Sequence, residues 1–153
     1  MKIAIVGCGS IAKVHAQCIN NIEGHELVAL ADKYIEKAEE YAEIYGGRPY
    51  GSLEDMLTKE EVDVLHICTP HYLHAEMIIF ALNNDVNTLC EKPLCIKSED
   101  IPKIIDAESK SKAILGVCHQ NRYNGENLFV KDYLKDKEVI TAHGQTVWNR
   151  NEA

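Results

Sequence analysis

Short apolar runs alternate along most of the chain with longer stretches in which apolar residues recur at helical spacing. Apolar runs of this length fit buried β-strands, and the stretches between them fit amphipathic helices. Strands separated by single helices build a parallel sheet with the helices packed on its faces. The pattern therefore predicts an α/β fold, a doubly wound and mostly parallel sheet with helices on both faces. The predicted strands cover residues 2–6, 26–31, 48–50, 63–68, 86–90 and 113–118, and the predicted helices cover residues 10–22, 35–45, 53–58, 73–83 and 99–112.

The chain after residue 122 does not follow this rhythm. A helical stretch at 126–134 leads into a β-rich run at 138–149, and no crossover helix follows that run. A single strand cannot bury a face by itself, and its unpaired N–H and C=O groups can pair with a strand of another chain. The sequence thus predicts one domain over residues 1–122, followed over 123–153 by a linker helix and the first strand of a second domain. Through this strand the chain could form a homo-oligomer.

Composition and charge argue against several classes of protein. The 153 residues hold 16 Lys and Arg against 24 Asp and Glu, a net charge of -8, which is the wrong sign for binding a phosphate backbone. No apolar run approaches the ~18 residues of a membrane helix, and the N-terminal segment turns glycine-rich too early for a signal peptide. We therefore expect no nucleic acid partner and no membrane segment.

The six cysteines are scattered at apolar positions and form no Cys-x-x-Cys pair. That distribution favours buried free thiols in a reducing cytosol over a disulfide framework, so a cytoplasmic location is expected. His71 and His74 lie three residues apart, but no nearby cysteine or carboxylate cluster completes a set of zinc ligands. The sequence predicts no metal site.

A glycine loop follows the first predicted strand and opens the first predicted helix. Gly7 permits a tight turn, Gly9 lets the backbone approach a pyrophosphate, and Ala12 allows the helix to pack closely on the strand. The free N–H groups of the helix N-terminus favour an anion at the same place. An ordinary βα turn is the alternative interpretation of this motif alone. The loop residues predicted to bind a dinucleotide are Gly7, Gly9, Ser10, Ile11 and Ala12.

Asp32 stands at the end of the second predicted strand, where a carboxylate can accept both ribose hydroxyls of an adenosine. Its negative charge repels a 2′-phosphate and so favours NAD over NADP, although the neighbouring Lys33 softens that repulsion. Methyltransferases that bind adenosylmethionine also combine a glycine loop with a ribose acid. This class is therefore a further hypothesis.

The last three predicted strands end in polar residues, at the edge where open α/β sheets bind ligands. Lys92 follows the fifth strand, where a lysine can receive or return the proton of a substrate hydroxyl during hydride transfer. Glu91 could orient it, and a solvated lysine paired with Glu91 is the alternative. His74, after the fourth strand, is alternatively a surface or capping histidine. The cluster after the sixth strand, which includes Arg122, fits the same crevice, a hinge between domains, or both.

The segments GCGSIA, CTPHYLH, CEKPL and HQNRYN, with Asp32 after the first, occur in the order seen in the Gfo/Idh/MocA oxidoreductases. Over residues 1–124 the chain resembles the N-terminal half of that family. The resemblance implies a Rossmann fold, a tightly held nicotinamide cofactor, and oxidation or reduction of a sugar, inositol or related polyol. Family members carry a second α/β domain that binds substrate and builds the oligomer interface, and the run at 138–149 resembles the first strand of its sheet.

The resemblance also assigns roles to single residues. Lys92 matches the family lysine that contacts the reacting hydroxyl, which makes it the predicted catalytic residue. Thr69, Pro70 and His74 match the loop that lies along the cofactor. Glu91 matches a neighbour of the lysine that shapes the nicotinamide site. Taken together, the residues and the resemblance predict these cofactor-binding residues beyond the glycine loop: Asp32, Lys33, Thr69, Pro70, His74, Glu91, Lys92 and Arg122.

The expected function is an NAD-dependent oxidoreductase acting on CH–OH groups, with this chain as its cofactor-binding portion, poorly active by itself. The alternative hypothesis is a non-catalytic nucleotide-binding module that assembles with another chain through its C-terminal strand.

Overall fold

The computed structural model describes residues 1–145, and within them six strands alternate with helices in the predicted order. The strands are β1 (Lys2–Val6), β2 (Glu26–Ala31), β3 (Arg48–Tyr50), β4 (Val64–Ile67), β5 (Asn87–Cys90) and β6 (Leu115–Val117). The α-helices are α1 (Ser10–Asn21), α2 (Ile35–Tyr45), α3 (Leu53–Lys59), α4 (His74–Asn83), α5 (Ile101–Lys110) and α6 (Gly125–Tyr133). No helix of this described part is long and apolar enough to cross a membrane.

All six strands form one parallel sheet in the order β3-β2-β1-β4-β5-β6. The chain builds one half of the sheet outward from β1 and the other half outward from β4, so the order reverses between these two neighbours. At such a reversal the loops after the two strands diverge and leave a crevice at the carboxyl edge of the sheet. The predicted doubly wound fold is thus confirmed.

The helices cover both faces of the sheet because side chains alternate along each strand. Ile3 and Ile5 of β1 pack with α1 and α2 on one face. Ala4 and Val6 belong to the core cluster of the other face, together with α3, α4 and α5. Each large aliphatic side chain fully buried in these clusters stabilises the fold by about 1.5–3 kcal/mol.

Several elements are shorter than predicted where they lead into the carboxyl edge. The fourth and sixth strands stop at Ile67 and Val117, one residue before the predicted ends. The helices α4 and α5 begin only after 3₁₀ turns at His71–Leu73 and Ser98–Asp100. Turns of this kind are frequent where a helix begins, and periodicity alone does not separate them from the first turn of the helix.

The chain divides into two compact units, Met1–His119 and the part from Gln120 onward. In the second unit a 3₁₀ turn, Gln120–Tyr123, precedes α6. The predicted strand at 138–149 is wrong for residues 138–145, which carry no strand. A strand needs a partner for its backbone groups, and the alternating apolar residues here have none to pair with among the described residues. The rest of that prediction lies outside the described residues, and the domain boundary at residue 122 stays a prediction.

Candidate functional site

A cleft of about 640 Å³ opens at the carboxyl edge of the sheet, where β1 and β4 end. Its volume lies within the range of small-molecule and cofactor sites, roughly 300–1,000 Å³. Predicted site residues that line it are Gly7, Gly9, Ser10, Ile11, Asp32, Lys33, Thr69 and Pro70. Lining residues that the sequence analysis missed include Tyr34, Lys37, Ser52, Glu54, Tyr72 and Met77.

Gly7 makes the turn out of β1 and can only be glycine. Its φ is +90°, and a Cβ built there would lie 2.8 Å from the backbone carbon of Cys68 and from the nitrogen of Thr69. Its N–H donates to the carbonyl oxygen of Ala31 at 2.7 Å. A side chain at this position would separate the ends of β1 and β4, so the absence of Cβ lets the two strand ends meet beneath the cleft.

Gly9 is the N-cap of α1, and no side chain caps this helix end. The first N–H groups of a helix have no partner one turn earlier within the helix. That of Ala12 donates to the carbonyl oxygen of Gly9 at 3.0 Å, whereas Ser10 and Ile11 line the cleft. A Cβ on Gly9 would meet nothing within 4 Å, so space for a ligand lies directly over the backbone. The carbonyl oxygen of Gly9 also accepts a hydrogen bond from the Tyr41 hydroxyl at 2.9 Å. This arrangement suits a pyrophosphate.

Asp32 is oriented by two backbone groups. Its Oδ2 accepts the N–H of Cys8 at 2.9 Å, and its Oδ1 accepts the N–H of Tyr34 at 2.9 Å. Each carboxylate oxygen has a second lone pair that remains available to a ligand hydroxyl. The carboxylate therefore faces the cleft in a fixed orientation that fits the two hydroxyls of a ribose.

Two lysines flank the aromatic ring that follows Asp32. The Nζ of Lys33 lies 4.7 Å from the centre of the Tyr34 ring, and the Nζ of Lys37 lies 5.3 Å from it. Cations over an aromatic face are attracted by its quadrupole. Tyr34 and Lys37 were not predicted, although their position just after Asp32 was a usable signal.

His74 is fully buried and does not line the cleft. Its Nδ1 lies 2.7 Å from the carbonyl oxygen of Pro93, and its Nε2 lies 3.0 Å from the carbonyl oxygen of Thr69. It is therefore not a surface histidine. The ring links Thr69, in the cleft wall, to Pro93, the residue after Lys92.

Glu91 and Lys92 follow β5, and the peptide bond between Lys92 and Pro93 is cis. The Lys92 side chain is exposed, whereas Glu91 is only 6% exposed. The Oε2 of Glu91 accepts the backbone N–H of Lys92 at 3.2 Å. Its Oε1 lies 3.1 Å from Nε2 of His15, a residue that the sequence analysis missed. Glu91 thus holds the backbone of Lys92. The alternative predicted from the sequence, a solvated lysine paired with Glu91, describes a different contact.

Arg122 lies in the second unit, within the turn Gln120–Tyr123. Its predicted role in cofactor binding stays a prediction.

No disulfide bond joins any of the six cysteines, and three of them, Cys8, Cys68 and Cys90, are buried as predicted. Burial raises the pKa of Cys8 and of Cys90 to about 12, and it also raises the pKa of Cys68. These thiols are therefore neutral near pH 7 and chemically quiet. Cys18 is exposed, which corrects the expectation that all the cysteines are buried.

Fold and site together define a nucleotide-binding α/β domain with its ligand crevice at the reversal of strand order. The chain belongs to the Gfo/Idh/MocA oxidoreductases, because the model of this family, described as an oxidoreductase family with an NAD-binding Rossmann fold, matches residues 1–119.

Named relatives agree with this assignment. The chain is 29% identical over 140 residues to 4-carboxy-2-hydroxymuconate-6-semialdehyde dehydrogenase of Sphingobium sp., covering 91% of this chain and 44% of that protein. It is 28% identical over 152 residues to inositol 2-dehydrogenase of Salmonella paratyphi B, covering 95% and 45%. The WlbA dehydrogenase of Bordetella pertussis, solved with NADH and UDP-GlcNAcA, superposes with a TM-score of 0.84 at 31% identity, covering 88% and 42%. The chain thus spans less than half the length of these relatives.

Proposed function

We propose that this chain is the cofactor-binding portion of an NAD-dependent oxidoreductase that transfers a hydride between the cofactor and a CH–OH group of a sugar, inositol or related polyol. The observation that carries the proposal is the cleft between β1 and β4, where an uncapped helix N-terminus and an oriented carboxylate face the same space. The relatives support it, since they are named as dehydrogenases and one was solved with NADH and a nucleotide sugar.

Different residues of the cleft would bind different parts of the cofactor. The N–H groups at the start of α1, beside Gly9, would hold the pyrophosphate, and Asp32 would accept the hydroxyls of the adenosine ribose. Thr69 and Pro70 would form the wall along the rest of the cofactor. When bound, the nicotinamide supplies the hydride chemistry. Lys92 would take up or return the proton of the substrate hydroxyl.

Cofactor choice follows from the charge of Asp32. Both of its oxygens are tied to backbone N–H groups, so the carboxylate cannot turn away from a 2′-phosphate. Repulsion between the two anions favours NAD, and Lys33 and Lys37 reduce that repulsion without removing the carboxylate. The proposal also includes recognition of a sugar-like substrate, self-association through residues 138–149 and a location in the cytoplasm.

The test is a binding titration of the chain with NAD, NADP and adenosylmethionine, read out as thermal shift and by calorimetry. At 100 times its dissociation constant a ligand adds about 2.7 kcal/mol to the free energy of unfolding. We expect a clear shift with NAD, a smaller one with NADP and none with adenosylmethionine. A shift with adenosylmethionine alone would contradict the proposal and favour the methyltransferase.

Asp32→Asn locates the site. The variant keeps one oxygen for the N–H of Cys8 but loses the charge, so we expect NAD affinity to fall by roughly 10-fold, the scale of one charged hydrogen bond. NADP affinity should fall less. Asp106→Asn, on the exposed surface of α5, is the matched control and should leave both affinities unchanged. Equal effects of the two substitutions would place the ligand elsewhere.

A further inference from the structure

The buried face of α1 carries one polar side chain. Residues 12, 15, 16 and 19 recur at helical spacing and are buried, and three of them are alanine or isoleucine. The fourth is His15, which is 8% exposed. A buried imidazole is costly unless both of its ring nitrogens find hydrogen-bond partners. The helix face offers none, so the partners must come from the sheet.

Two side chains of the sheet provide these partners. The Nε2 of His15 lies 3.1 Å from Oε1 of Glu91, after β5, and its Nδ1 lies 3.0 Å from Nδ1 of His66, in β4. A carboxylate only accepts, so Nε2 of His15 donates to Glu91. The Nδ1 of His66 can either donate or accept, and it therefore satisfies the remaining nitrogen of His15. We call the half-buried His66 and the buried His15 and Glu91 the histidine network.

The charge states of the histidine network follow from its surroundings. Burial by itself raises the pKa of Glu91, but hydrogen bonds from His15 and Cys118 outweigh it and hold the pKa below its ordinary value. Glu91 is therefore ionised near pH 7. Burial, and then the charge of His15, lower the pKa of His66 to about 4, so His66 is neutral there. The atoms of His15, Glu91 and Cys118 that could bind a metal ion lie within 4.8 Å of one another. The hydrogen bonds among these side chains account for their closeness.

The histidine network ends at the backbone of Lys92. Glu91 uses its second oxygen, Oε2, to accept the backbone N–H of Lys92 at 3.2 Å. Hydrogen bonds therefore run without a gap from His66 through His15 and Glu91 to the backbone of Lys92. Removal of His15 would leave the buried Glu91 carboxylate without its ring donor, so that Cys118 and the backbone N–H of Lys92 hold it with less constraint.

We propose that His15 is a positioning residue for the nicotinamide end of the cofactor site: it orients Glu91, which in turn holds the backbone of Lys92, while His66 holds His15. The inference deepens the proposed function and rests on it for the identity of the ligand. Hydrogen bonds that join α1, β4 and β5 hold the backbone of Lys92 in place, although the side chain of Lys92 is exposed.

The first test uses the free chain and follows the amide of Lys92 by hydrogen exchange. With His15→Leu we expect this amide to exchange roughly 10-fold faster, the effect of losing one hydrogen bond. His15→Gln carries an amide that can donate to Glu91 and should restore protection to within about 3-fold of the original chain. His25→Leu, at a half-buried histidine whose Nδ1 contacts the carbonyl oxygen of Glu23, is the control. An unchanged Lys92 amide in folded His15→Leu, or no rescue by glutamine, overturns the proposal.

A measurement on the unsubstituted chain covers the case in which His15→Leu does not fold. The ring proton on Nε2 of His15 should appear in a nitrogen-correlated NMR spectrum and exchange slowly, because it is buried and bonded to a carboxylate. A ring proton on Nδ1 with none on Nε2 would overturn the proposal.

The second test compares NAD with ADP-ribose, which lacks the nicotinamide ring. Binding of ADP-ribose to the unsubstituted chain tests the proposed function alone, and its absence would end that function whatever His15 does. Where ADP-ribose binds, His15→Leu should weaken NAD roughly 10-fold more than ADP-ribose. Equal weakening of both ligands, or an unsubstituted chain that binds NAD no better than ADP-ribose, overturns the role of His15.

Discussion

The carboxyl edge of the sheet has two ends that are built by different means. At the glycine-loop end, residues 7–12 and Asp32 present backbone N–H groups and one carboxylate, and the fixed contacts join near neighbours or adjacent strands. At the lysine end, the buried side chains of Glu91 and His15 hold the backbone of Lys92. His15 and Glu91 meet there although 76 residues separate them in sequence. Recognition by backbone needs only local sequence, whereas a side-chain network needs the whole fold.

Gly7→Ala should produce the largest effect on stability. Gly7 lies where the ends of β1 and β4 meet, and both ends of the carboxyl edge depend on these two strands. The methyl group would lie 2.8 Å from backbone atoms of Cys68 and Thr69, in a residue with φ of +90°. We expect a loss of about 3 kcal/mol or more in the free energy of unfolding, measured by urea denaturation. A loss below about 1 kcal/mol would show that the two strand ends can separate freely.

Acid should act next most strongly, and it acts on the lysine end. The pKa of His66 is about 4 in the folded chain and 6.5 in its ordinary state. Between these values the unfolded chain binds a proton that the folded chain does not, so the free energy of unfolding falls as pH falls from 6.5 to 4. The loss from this one group is about 3 kcal/mol.

The glutamine variant isolates that contribution. His66→Gln does not titrate and should flatten the dependence of stability on pH between 4 and 6.5. His25→Gln, at a half-buried histidine, is the control. Urea denaturation at a series of pH values gives the comparison. The same slope in His66→Gln as in the original chain would place the titrating group elsewhere.

Gly9→Ala separates binding from stability at the glycine-loop end. A Cβ there meets no atom within 4 Å, and the φ of -98° suits alanine. We expect a stability change of about 1 kcal/mol or less, the cost of a poorer N-cap. The methyl group occupies ligand space, so NAD affinity should fall roughly 10-fold by calorimetry. Undiminished affinity would mean that the pyrophosphate does not lie over Gly9.

Thiol labelling gives the smallest effect and compares both ends at once. Cys8 lies at the glycine-loop end and Cys90 at the lysine end, and burial raises the pKa of each to about 12. Exposed Cys18 should therefore be alkylated first at pH 7.5, with Cys8 and Cys90 protected until the chain unfolds. Mass spectrometry of peptides after brief iodoacetamide treatment reads this out. Early labelling of Cys90 would indicate that the lysine end opens.

The two ends also explain what sequence could predict. The order of strands and helices followed from periodicity, and Gly7, Gly9 and Asp32 followed from a motif whose parts are local. His15 stood in the same predicted helix and was passed over, because one sequence does not show which strand will lie beneath it. His74 was assigned to the cofactor, but it lies buried between two carbonyl oxygens. The strand predicted at 138–149 failed over 138–145 because a β-pattern without a partner does not make a strand.

The segment after β2 has a further consequence for how such a protein can change. Lys33, Tyr34 and Lys37 line the cleft, yet none of them belongs to either core cluster. Mutations in this segment can alter the charge that a cofactor meets without disturbing the packing that keeps the sheet folded. Preference between the two nicotinamide dinucleotides is therefore evolvable here in small steps, while the scaffold beneath stays constant.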